Sequence, residues 1–503
     1  MQTLQQEIST VKLTGNNIEY HLVGALKDLE APIQRIASQI SDIKDHLKEK
    51  ERWLLKKKEF EEWMKASTSS ILWLHGIPGS GKSMLVCHVI EYLKNRAQQR
   101  YGSAPIAYFY CARNINEPER ADPVELLRNI LEQLCSLDAE TPIRKPLSNA
   151  YLSRKKEARG RKPEKLNLEE TVDIILKLLE TNPATIVIDG FDECDPIKRN
   201  DLLLALQKII TKSNSIVKVF VSSRDDHDLV HHLVNSPNLY IHAADNTEDI
   251  LIFIRSHVQE AIRDGKLLCG RVSDRLKNII IGRLIKEANG MFRLVSLHID
   301  SLCDPYRIKT EANVHYALDH LPQELEKSYD MVMSHISQAE DPNPQLASRI
   351  LKWILCARKA LDSTSISQAI CAERRDQSLL SNEEILSICC NLVVYNKETD
   401  NFQFAHLSVR EYLEPQPEYS TEEANHMAAE TCLTCMVSPT LHLASFRCHA
   451  EQFWGHYARL AGRKRHKRAL KRHLIACLIS PFDPKLIGLT RLHSYLLQYE
   501  HSL

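Results

Sequence analysis

The first 50 residues carry apolar side chains at alternating spacings of four and three. The positions in this seam are Leu22, Leu26, Leu29, Ile33, Ile36, Ile40, Ile43 and Leu47. This spacing is typical of the a and d positions of a helical hairpin or a short coiled coil. Pro32 interrupts the seam and favours a helix start, so we expect two packed helices rather than one long rod.

Beyond residue 69 the pattern changes to short apolar runs that lack strict alternation. Five such runs occupy residues 71–74, 105–112, 185–188, 217–223 and 239–243. Runs of this kind are typical of strands that are covered on both faces. Amphipathic helical stretches separate them, and strands that alternate with helices predict a parallel α/β sheet.

From about residue 246 onward, helical periodicity dominates the chain. The exception is residues 392–404, where two short apolar runs flank the turn sequence KETD and predict a β-hairpin. A helix at 409–413 would then complete a winged-helix arrangement. The predicted fold class is therefore α/β plus α: a parallel sheet flanked by helices, followed by helical and winged-helix domains.

Composition restricts the function classes without choosing among them. The chain has 503 residues with 65 basic and 65 acidic side chains, so the formal net charge is zero. We therefore expect neither a nucleic-acid partner nor an anionic membrane surface. No apolar stretch reaches the roughly 18–20 residues of a membrane helix, and the start lacks the pattern of a signal peptide. Most of the 14 cysteines lie in apolar segments, which favours reduced thiols and a cytoplasmic protein.

Glycine is scarce in this chain, but three of its 15 glycines fall within six positions. There the sequence GIPGSGKS fits the pattern G-x-x-x-x-G-K-[ST], between a predicted strand and a predicted helix. Such a loop turns backbone N–H groups toward phosphate oxygens, and the helix N-terminus adds partial positive charge. The predicted nucleotide-binding residues are Gly76, Ile77, Pro78, Gly79, Ser80, Gly81, Lys82, Ser83 and Met84. Lys82 would neutralise the β- and γ-phosphates, and Ser83 would coordinate Mg²⁺.

The sequence TIVIDGFDE supplies the second half of the predicted site. Asp189 ends the apolar run and is placed to hold Mg²⁺ opposite Ser83. Asp192 and Glu193 follow at the strand tip, where a carboxylate could orient or deprotonate an attacking water. Arg224 ends the run VKVFVSSR within reach of a γ-phosphate. We predict Asp192, Glu193 and Arg224 as catalytic residues, with an acidic surface turn and a surface arginine as the alternatives.

These motifs resemble the NACHT domain of the STAND class of signal-transduction NTPases, relatives of the NOD-like receptors. More specifically, they are similar to the fungal, nephrocystin-3-like branch that carries C-terminal ankyrin or WD repeats. The segments ANGMFRLVSLHIDSL, ICCNLVVY and FAHLSVREYLE extend the resemblance over residues 51–415. The resemblance implies a P-loop sheet of the ASCE type, a helical subdomain and a winged helix that closes over the nucleotide.

With this resemblance we expect five regions along the chain. They are an N-terminal helical region, a nucleotide-binding domain, a helical domain, a winged-helix domain and a C-terminal helical segment, at 1–65, 66–245, 246–335, 336–418 and 419–503. The resemblance also implies that His406 contacts the β-phosphate of ADP in a closed state. One departure concerns Phe292, which stands where related switches often have proline two positions after the glycine that is here Gly290. The residue that contacts the base therefore stays open.

The hypothesis that follows is an ATP-dependent molecular switch with ATP or ADP and Mg²⁺ as ligands. ADP would hold the closed state, and exchange for ATP would favour an open state that self-associates, with slow hydrolysis as the reset. The N-terminal helices would engage a protein signalling partner. The alternatives are a turnover enzyme such as a P-loop kinase, or a scaffold that binds no nucleotide. No guanine-reading N-K-x-D motif is visible in the sequence, which favours ATP over GTP.

Three weaker signals lie outside this site. Residues 154–165 are rich in lysine and arginine and predict a mobile basic loop, with a role in nucleic-acid binding as the alternative. Residues 462–473 predict a solvated basic helix face. A nuclear-localisation segment or an acidic partner is the alternative for the second stretch. Cys432 and Cys435, with His442, Cys448 and His449 downstream, could be drawn as a zinc site, but a second close pair at structural-zinc spacing is missing.

Overall fold

A computed structural model describes most of the chain from residue 53 to residue 462. The described residues are 53–99, 104–113, 117–135, 144–159, 161, 163–305, 307–340, 342–372, 379–437 and 444–462. The chain divides into two compact units, Met1–Gln323 and Glu324–Leu503, which we name the first and the second unit. The predicted N-terminal seam at 22–47 and residues 463–473 of the basic stretch lie outside the described residues.

The first unit is built on a sheet of five parallel strands. They are β1 Ser70–His75, β2 Ile106–Tyr110, β3 Ala184–Asp189, β4 Val217–Ser223 and β5 Asn238–Tyr240. Their order in the sheet is β2-β3-β4-β1-β5, and every pairing is parallel. The predicted parallel α/β sheet is thereby confirmed. Strand β4 separates β1 from β3, so the loops that follow these three strands lie side by side at one edge.

The two outer strands are shorter than their apolar runs predict. Strand β2 ends at Tyr110, and β5 ends at Tyr240. The backbone N–H of Ile241 still bonds the carbonyl of His75 at 2.9 Å. A turn then closes between His242 and Asp245, whose carboxylate accepts the N–H of His242 at 3.0 Å. This turn takes the chain out of the sheet before its apolar run has ended.

Helices surround the sheet and continue beyond it in the first unit. They are α1 Lys58–Lys65, α2 Lys82–Gln98, α3 Pro123–Cys135, α4 Lys145–Glu157, α5 Leu168–Leu178, α6 Arg199–Lys212, α7 His227–Leu233, α8 Thr247–Arg263, α9 Asp274–Glu287, α10 Phe292–Leu302 and α11 Glu311–Asp319. Apolar residues of α8 to α11, among them Ile254, Ile280 and Val295, form a core separate from the two that cover the sheet.

Alternate side chains of the central strands enter two different cores. Ile186, Ile188 and Val219 pack with apolar residues of α3, α5 and α6 on one face. Val187 and Phe220 pack with apolar residues of α1 and α2 on the other face. Every residue of β3 and β4 is buried. Burial on both faces is the reason why these strands lack the alternation of a half-exposed strand.

The second unit combines helices with a two-stranded hairpin. Its elements are α12 Leu325–Gln338, α13 Asn343–Cys356, α14 Ser363–Cys371, α15 Asn382–Ile388, β6 Val393–Asn396, β7 Asn401–Phe404, α16 Leu407–Leu413, α17 Thr421–Val437 and α18 Ala444–Leu460. Strands β6 and β7 are antiparallel, with Asn396 opposite Asn401. This pairing confirms the predicted hairpin with KETD as its turn.

The prediction that the basic stretch at 154–165 forms a loop throughout is wrong. Its first four residues belong to α4. The guanidinium of Arg154 donates to the carbonyl of Glu164 at 2.6 Å and to the carboxylate of Glu170 at 2.5 Å. These bonds tie the end of α4 to the start of α5, a pairing between distant residues that the composition of the stretch does not reveal.

We expect Phe220→Ala to destabilise the first unit. The ring of Phe220 is fully buried and lies 6.3 Å from the ring of Phe60 and 5.9 Å from that of Trp63. Its truncation leaves a cavity between the sheet and α1 and should lower the free energy of unfolding by about 3–5 kcal/mol in urea denaturation. Val234→Ala, at a side chain that is 53% exposed, is the matched control and should change it by less than about 0.5 kcal/mol. A loss below about 1 kcal/mol for Phe220→Ala would contradict this core assignment.

Candidate functional site

The glycine-rich loop connects the end of β1 to the start of α2. Gly79 and Gly81 have φ values of +74° and +87°, in the left-handed region that favours glycine. A Cβ atom on Gly79 would lie 2.9 Å from Cβ of Arg293, and one on Gly81 would lie 3.0 Å from the ring of Phe292. Both conformation and space therefore require glycine at these two positions. The 17-residue helix α2 follows, so its unpaired N–H groups begin at the loop.

Lys82 folds back onto the same loop. Its Nζ donates to the carbonyl oxygens of Gly76 at 2.8 Å and Ile77 at 2.9 Å. Burial lowers the pKa of Lys82 to about 8, although the carboxylates of Asp192 and Asp189 favour its charged form. The ammonium group thus lies inside the loop, held by neutral carbonyls that a stronger anionic acceptor can replace.

Asp189 ends β3 with its carboxylate buried. The hydroxyl of Ser222, on the neighbouring strand β4, donates to Oδ1 of Asp189, and the N–H of Gly190 donates to that hydroxyl at 3.0 Å. Burial raises the pKa of Asp189, while hydrogen bonds from Ser222 and Ser83 act in the opposite direction. Ser83 itself is exposed. The structure therefore brings together the two side chains that the sequence predicts as metal ligands.

The turn Phe191–Glu193 presents the other two carboxylates. Asp192 accepts from the backbone N–H of Arg224 at 3.1 Å and pairs with its Nε at 3.3 Å. Burial raises the pKa of Asp192, against the stabilising charge of Arg224. Glu193 accepts from the backbone N–H of Arg113 at 3.2 Å. Burial, with the negative charge of Asp192 added, raises the pKa of Glu193 to about 7. The turn therefore carries an acid that titrates near neutral pH beside an ion pair.

Arg199 is a central residue of this region that the sequence reasoning missed. Its side chain is 5% exposed and pairs with Asp226 at 2.9 Å and with Asp228 at 2.7 Å. It also donates to the carbonyl of Asp192 at 2.9 Å. The acidic run after Arg224 was a usable signal, because closely spaced carboxylates beside a buried site require a cation. The sequence did not indicate which cation that would be.

A second missed contact joins the loop to the elements that follow the sheet. The side-chain nitrogen of Asn246 donates to the carbonyls of Ser80 at 3.1 Å and Gly290 at 2.9 Å. The backbone N–H of Phe292 donates to the carbonyl of Gly79 at 2.8 Å. Phe292 thus contacts the glycine-rich loop directly.

His406 lies in the second unit, at the residue before α16. Its Nδ1 accepts the backbone N–H of Ser408 at 3.1 Å and lies 2.6 Å from the hydroxyl of Ser408. That hydroxyl also lies 2.8 Å from the hydroxyl of Tyr329. The imidazole therefore caps α16, and its contact with phosphate stays a prediction.

Two further findings concern metals and membranes. Cys432 and Cys435 are buried within α17. Among the described residues, no group of three or more His, Cys, Asp or Glu side chains could hold a metal ion. Within that same part of the chain, none of the helices combines the length and the apolar character that a membrane crossing requires.

Comparison with known proteins gives matches over both units. Residues 49–224 match the family model described as "Nephrocystin 3, N-terminal", and residues 334–424 match "GPI inositol-deacylase, winged helix domain". The chain is also 24% identical over 381 residues to the vegetative incompatibility protein HET-E-1 of Podospora anserina. That alignment covers 73% of this chain and 26% of the relative, so the chain spans about a quarter of the relative's length.

Similar solved structures include two archaeal proteins. One is the ORC1 protein of Aeropyrum pernix in complex with DNA, 15% identical with a TM-score of 0.32 over 73% of this chain and 92% of the other. Another is Cdc6p of Pyrobaculum aerophilum, 12% identical with a TM-score of 0.32 over 73% of this chain and 95% of the other. Scores this low support no argument about function. The sheet order, the glycine-rich loop and the match over residues 49–224 make this chain one with a P-loop NTPase fold, and its resemblance to NACHT-type NTPases is confirmed.

Proposed function

We propose that this chain is a nucleotide-dependent molecular switch that binds ATP and ADP with Mg²⁺. The observation that carries the proposal is the convergence of Lys82, Ser83 and Asp189 on one loop edge. The local structure is compatible with a phosphate group, because Gly79 and Gly81 adopt left-handed φ values that let the loop turn its backbone N–H groups inward. The hydroxyl of Ser80 is buried, with no hydrogen-bond partner among the described residues. Such a group is costly to bury unless an acceptor or donor completes it.

Different residues would bind the phosphates and the metal ion, according to the chemistry of their side chains. The backbone of residues 76–84, with the ammonium of Lys82, would hold the phosphates. Ser83 and Asp189 would hold Mg²⁺, because hydroxyl and carboxylate oxygens are its preferred ligands. A bound Mg²⁺ supplies charge neutralisation to the phosphates.

Hydrolysis, in this proposal, is slow and resets the switch. Glu193 is the base that accepts a proton from water, and Asp192 holds Arg224 in position through two contacts. Arg224 would supply positive charge to the transferring phosphoryl group. Because Glu193 shares its turn with Asp192, the base would lie next to the carboxylate that positions Arg224.

The wider scheme is a change of conformation that follows nucleotide exchange. ADP would favour a closed state in which His406 donates to the β-phosphate, and ATP would favour an open state that self-associates. We further propose the five regions at 1–65, 66–245, 246–335, 336–418 and 419–503, a protein partner for the N-terminal helices, and a cytoplasmic location. Neither nucleic acid nor membrane takes part in this scheme. The similarity to a vegetative incompatibility protein supports a signalling role.

Lys82→Ala should weaken nucleotide binding. A hydrogen bond to a charged group contributes about 1.5–3 kcal/mol, so the loss should be roughly tenfold to a hundredfold in Kd. Titration with a fluorescent ATP analogue and with ADP measures it. Lys208→Ala is the matched control, since Lys208 forms a surface ion pair with the exposed Asp173. Equal affinity of Lys82→Ala and wild type would refute the switch and favour a scaffold that binds no nucleotide.

The rate of hydrolysis should rise with pH through about 7. A general base acts only when deprotonated, and the pKa of Glu193 lies at about 7. With saturating ATP, whose phosphates favour the charged form of Lys82, single-turnover rates between pH 5.5 and 8.5 should therefore follow one ionisation and reach a plateau above it. Glu193→Gln should remove both the ionisation and most of the rate while leaving ATP affinity within about threefold. An unchanged pH profile in Glu193→Gln would exclude this residue as the base.

His406→Ala should weaken ADP binding more than ATP binding and increase self-association. Because His406 also caps α16, His406→Asn serves as the matched variant, since asparagine is a good N-cap that lacks the imidazole. Both variants should lose ADP affinity by roughly tenfold, while only the alanine variant should lose the stability contributed by the cap. Calorimetric titration and size-exclusion chromatography provide the measurements. Loss of both nucleotides to the same degree would remove the proposed role.

A further inference from the structure

Asn246 connects the glycine-rich loop to the turn before α10. It is 2% exposed, and its amide nitrogen donates to the carbonyls of Ser80 at 3.1 Å and Gly290 at 2.9 Å. Both acceptors are carbonyl oxygens, so they use both amide hydrogens and fix which end of the amide faces them. One buried side chain therefore bridges two segments that are separated by more than 200 positions in the sequence.

This bridge replaces the ordinary use of asparagine at a helix start. Asn246 occupies the N-cap position of α8, where an asparagine normally accepts a first-turn N–H with its side-chain oxygen. It makes no such bond. Its Oδ1 is buried and has no hydrogen-bond partner among the described residues, which carries a free-energy cost. The donor bonds, and not capping, therefore hold this side chain in its position.

The neighbouring contacts leave little room for the loop to move alone. The N–H of Phe292, the first residue of α10, donates to the carbonyl of Gly79 at 2.8 Å. A Cβ atom on Gly290 would lie 2.8 Å from Cα of Ala243. Because the backbones of Gly290 and Ala243 are already in close contact, a movement of the loop requires a movement of the turns that precede α8 and α10.

We propose that Asn246 is a positioning residue that couples the state of the glycine-rich loop to the α8–α10 region. The inference rests on the proposed binding of nucleotide. The carbonyl of Ser80 and the N–H of Gly81 belong to one planar peptide unit, so the orientation of one sets the orientation of the other. A phosphate that orders the N–H groups of the loop therefore also strengthens the bonds that its carbonyls accept from Asn246 and Phe292.

Amide hydrogen exchange on the full chain tests this coupling. Wild-type protein is compared with and without ADP and Mg²⁺, and exchange is followed in peptides covering residues 288–296. Nucleotide should slow exchange there by about tenfold, since the N–H of Phe292 reports directly on its bond to Gly79. Fluorescent ADP binding is measured on the same samples, so loss of binding is separated from loss of coupling.

Asn246→Asp is the informative variant because it keeps the shape of the side chain. It replaces the amide nitrogen, which donates two hydrogen bonds, by a carboxylate oxygen that faces the two carbonyls. It should bind ADP within about fivefold of wild type, while the nucleotide-dependent slowing at 288–296 is lost. Asn238→Asp is the matched control: Asn238 is exposed, and its amide donates to the nearby carbonyl of Ser236. This control should retain both the binding and the exchange response.

Phe292→Pro gives a second test that does not depend on the stability of Asn246→Asp. The substitution removes the backbone N–H that donates to the carbonyl of Gly79. Proline is tolerated at the first position of a helix. The preceding residue, Met291, has φ −114° and ψ 107°, a conformation that is compatible with a following proline. Because the variant itself lacks the amide of residue 292, the response is read on the remaining amides at 288–296 and should again be reduced. A variant of either kind that binds ADP and keeps the full response would overturn the coupling. Wild-type protein that binds ADP without any response would do the same and leave nucleotide binding standing, whereas failure to bind ADP would refute both proposals.

Discussion

The buried carboxylate of Asp189 is the group on which the rest of the site depends. A carboxylate at the end of a fully covered strand is unfavourable unless hydroxyl or N–H donors surround it. Here the sheet order provides them, because β4 lies beside β3 and contributes Ser222. The same order leaves β1 on the far side of β4, so Ser83 approaches from the loop after β1. A different strand order would leave this charge without partners, which explains why sheet topology and site chemistry are linked.

The carboxylates around Asp189 add a second constraint, which is repulsion between like charges. Asp192 raises the pKa of both Asp189 and Glu193. Arg224 offsets part of the repulsion through its ion pair with Asp192. Arg199 donates a hydrogen bond to the backbone carbonyl of Asp192 and forms ion pairs with Asp226 and Asp228. The balance leaves the pKa of Glu193 at about 7, so this carboxyl group gains or loses its proton near neutral pH. A base of this kind is produced by the neighbours of the residue and not by the residue alone.

The sequence was sufficient to predict the parts of the site that depend on local pattern. Apolar runs located β1, β3 and β4, and the loop motif located Lys82 and Ser83, because a phosphate-binding turn requires a fixed local spacing. Arg199 and Asn246 were missed for a common physical reason. Each acts through segments that only the tertiary fold brings together, and an arginine or asparagine at a helix start has several ordinary uses. Strand β5 was predicted, but its early end was missed because a hydrogen-bonded turn, rather than loss of apolar residues, ends the strand.

A nucleotide can shift the equilibrium of a switch only through contacts that differ between its two forms. ATP and ADP differ by one phosphoryl group, so the groups that respond to the γ-phosphate matter most for the proposed function. Arg224 is such a group, because its side chain is already engaged by Asp192. A phosphate oxygen would compete with that carboxylate for the guanidinium, and any loss of the pair would leave Asp192 with less compensation beside Glu193. Replacement of ADP by ATP would then change the distribution of charge in the turn Phe191–Glu193. The loop carbonyls bound by Asn246 and Phe292 would instead respond to any nucleotide that fills the loop. In the proposed switch, occupancy and phosphate number would thus be sensed by different residues at one edge of the sheet.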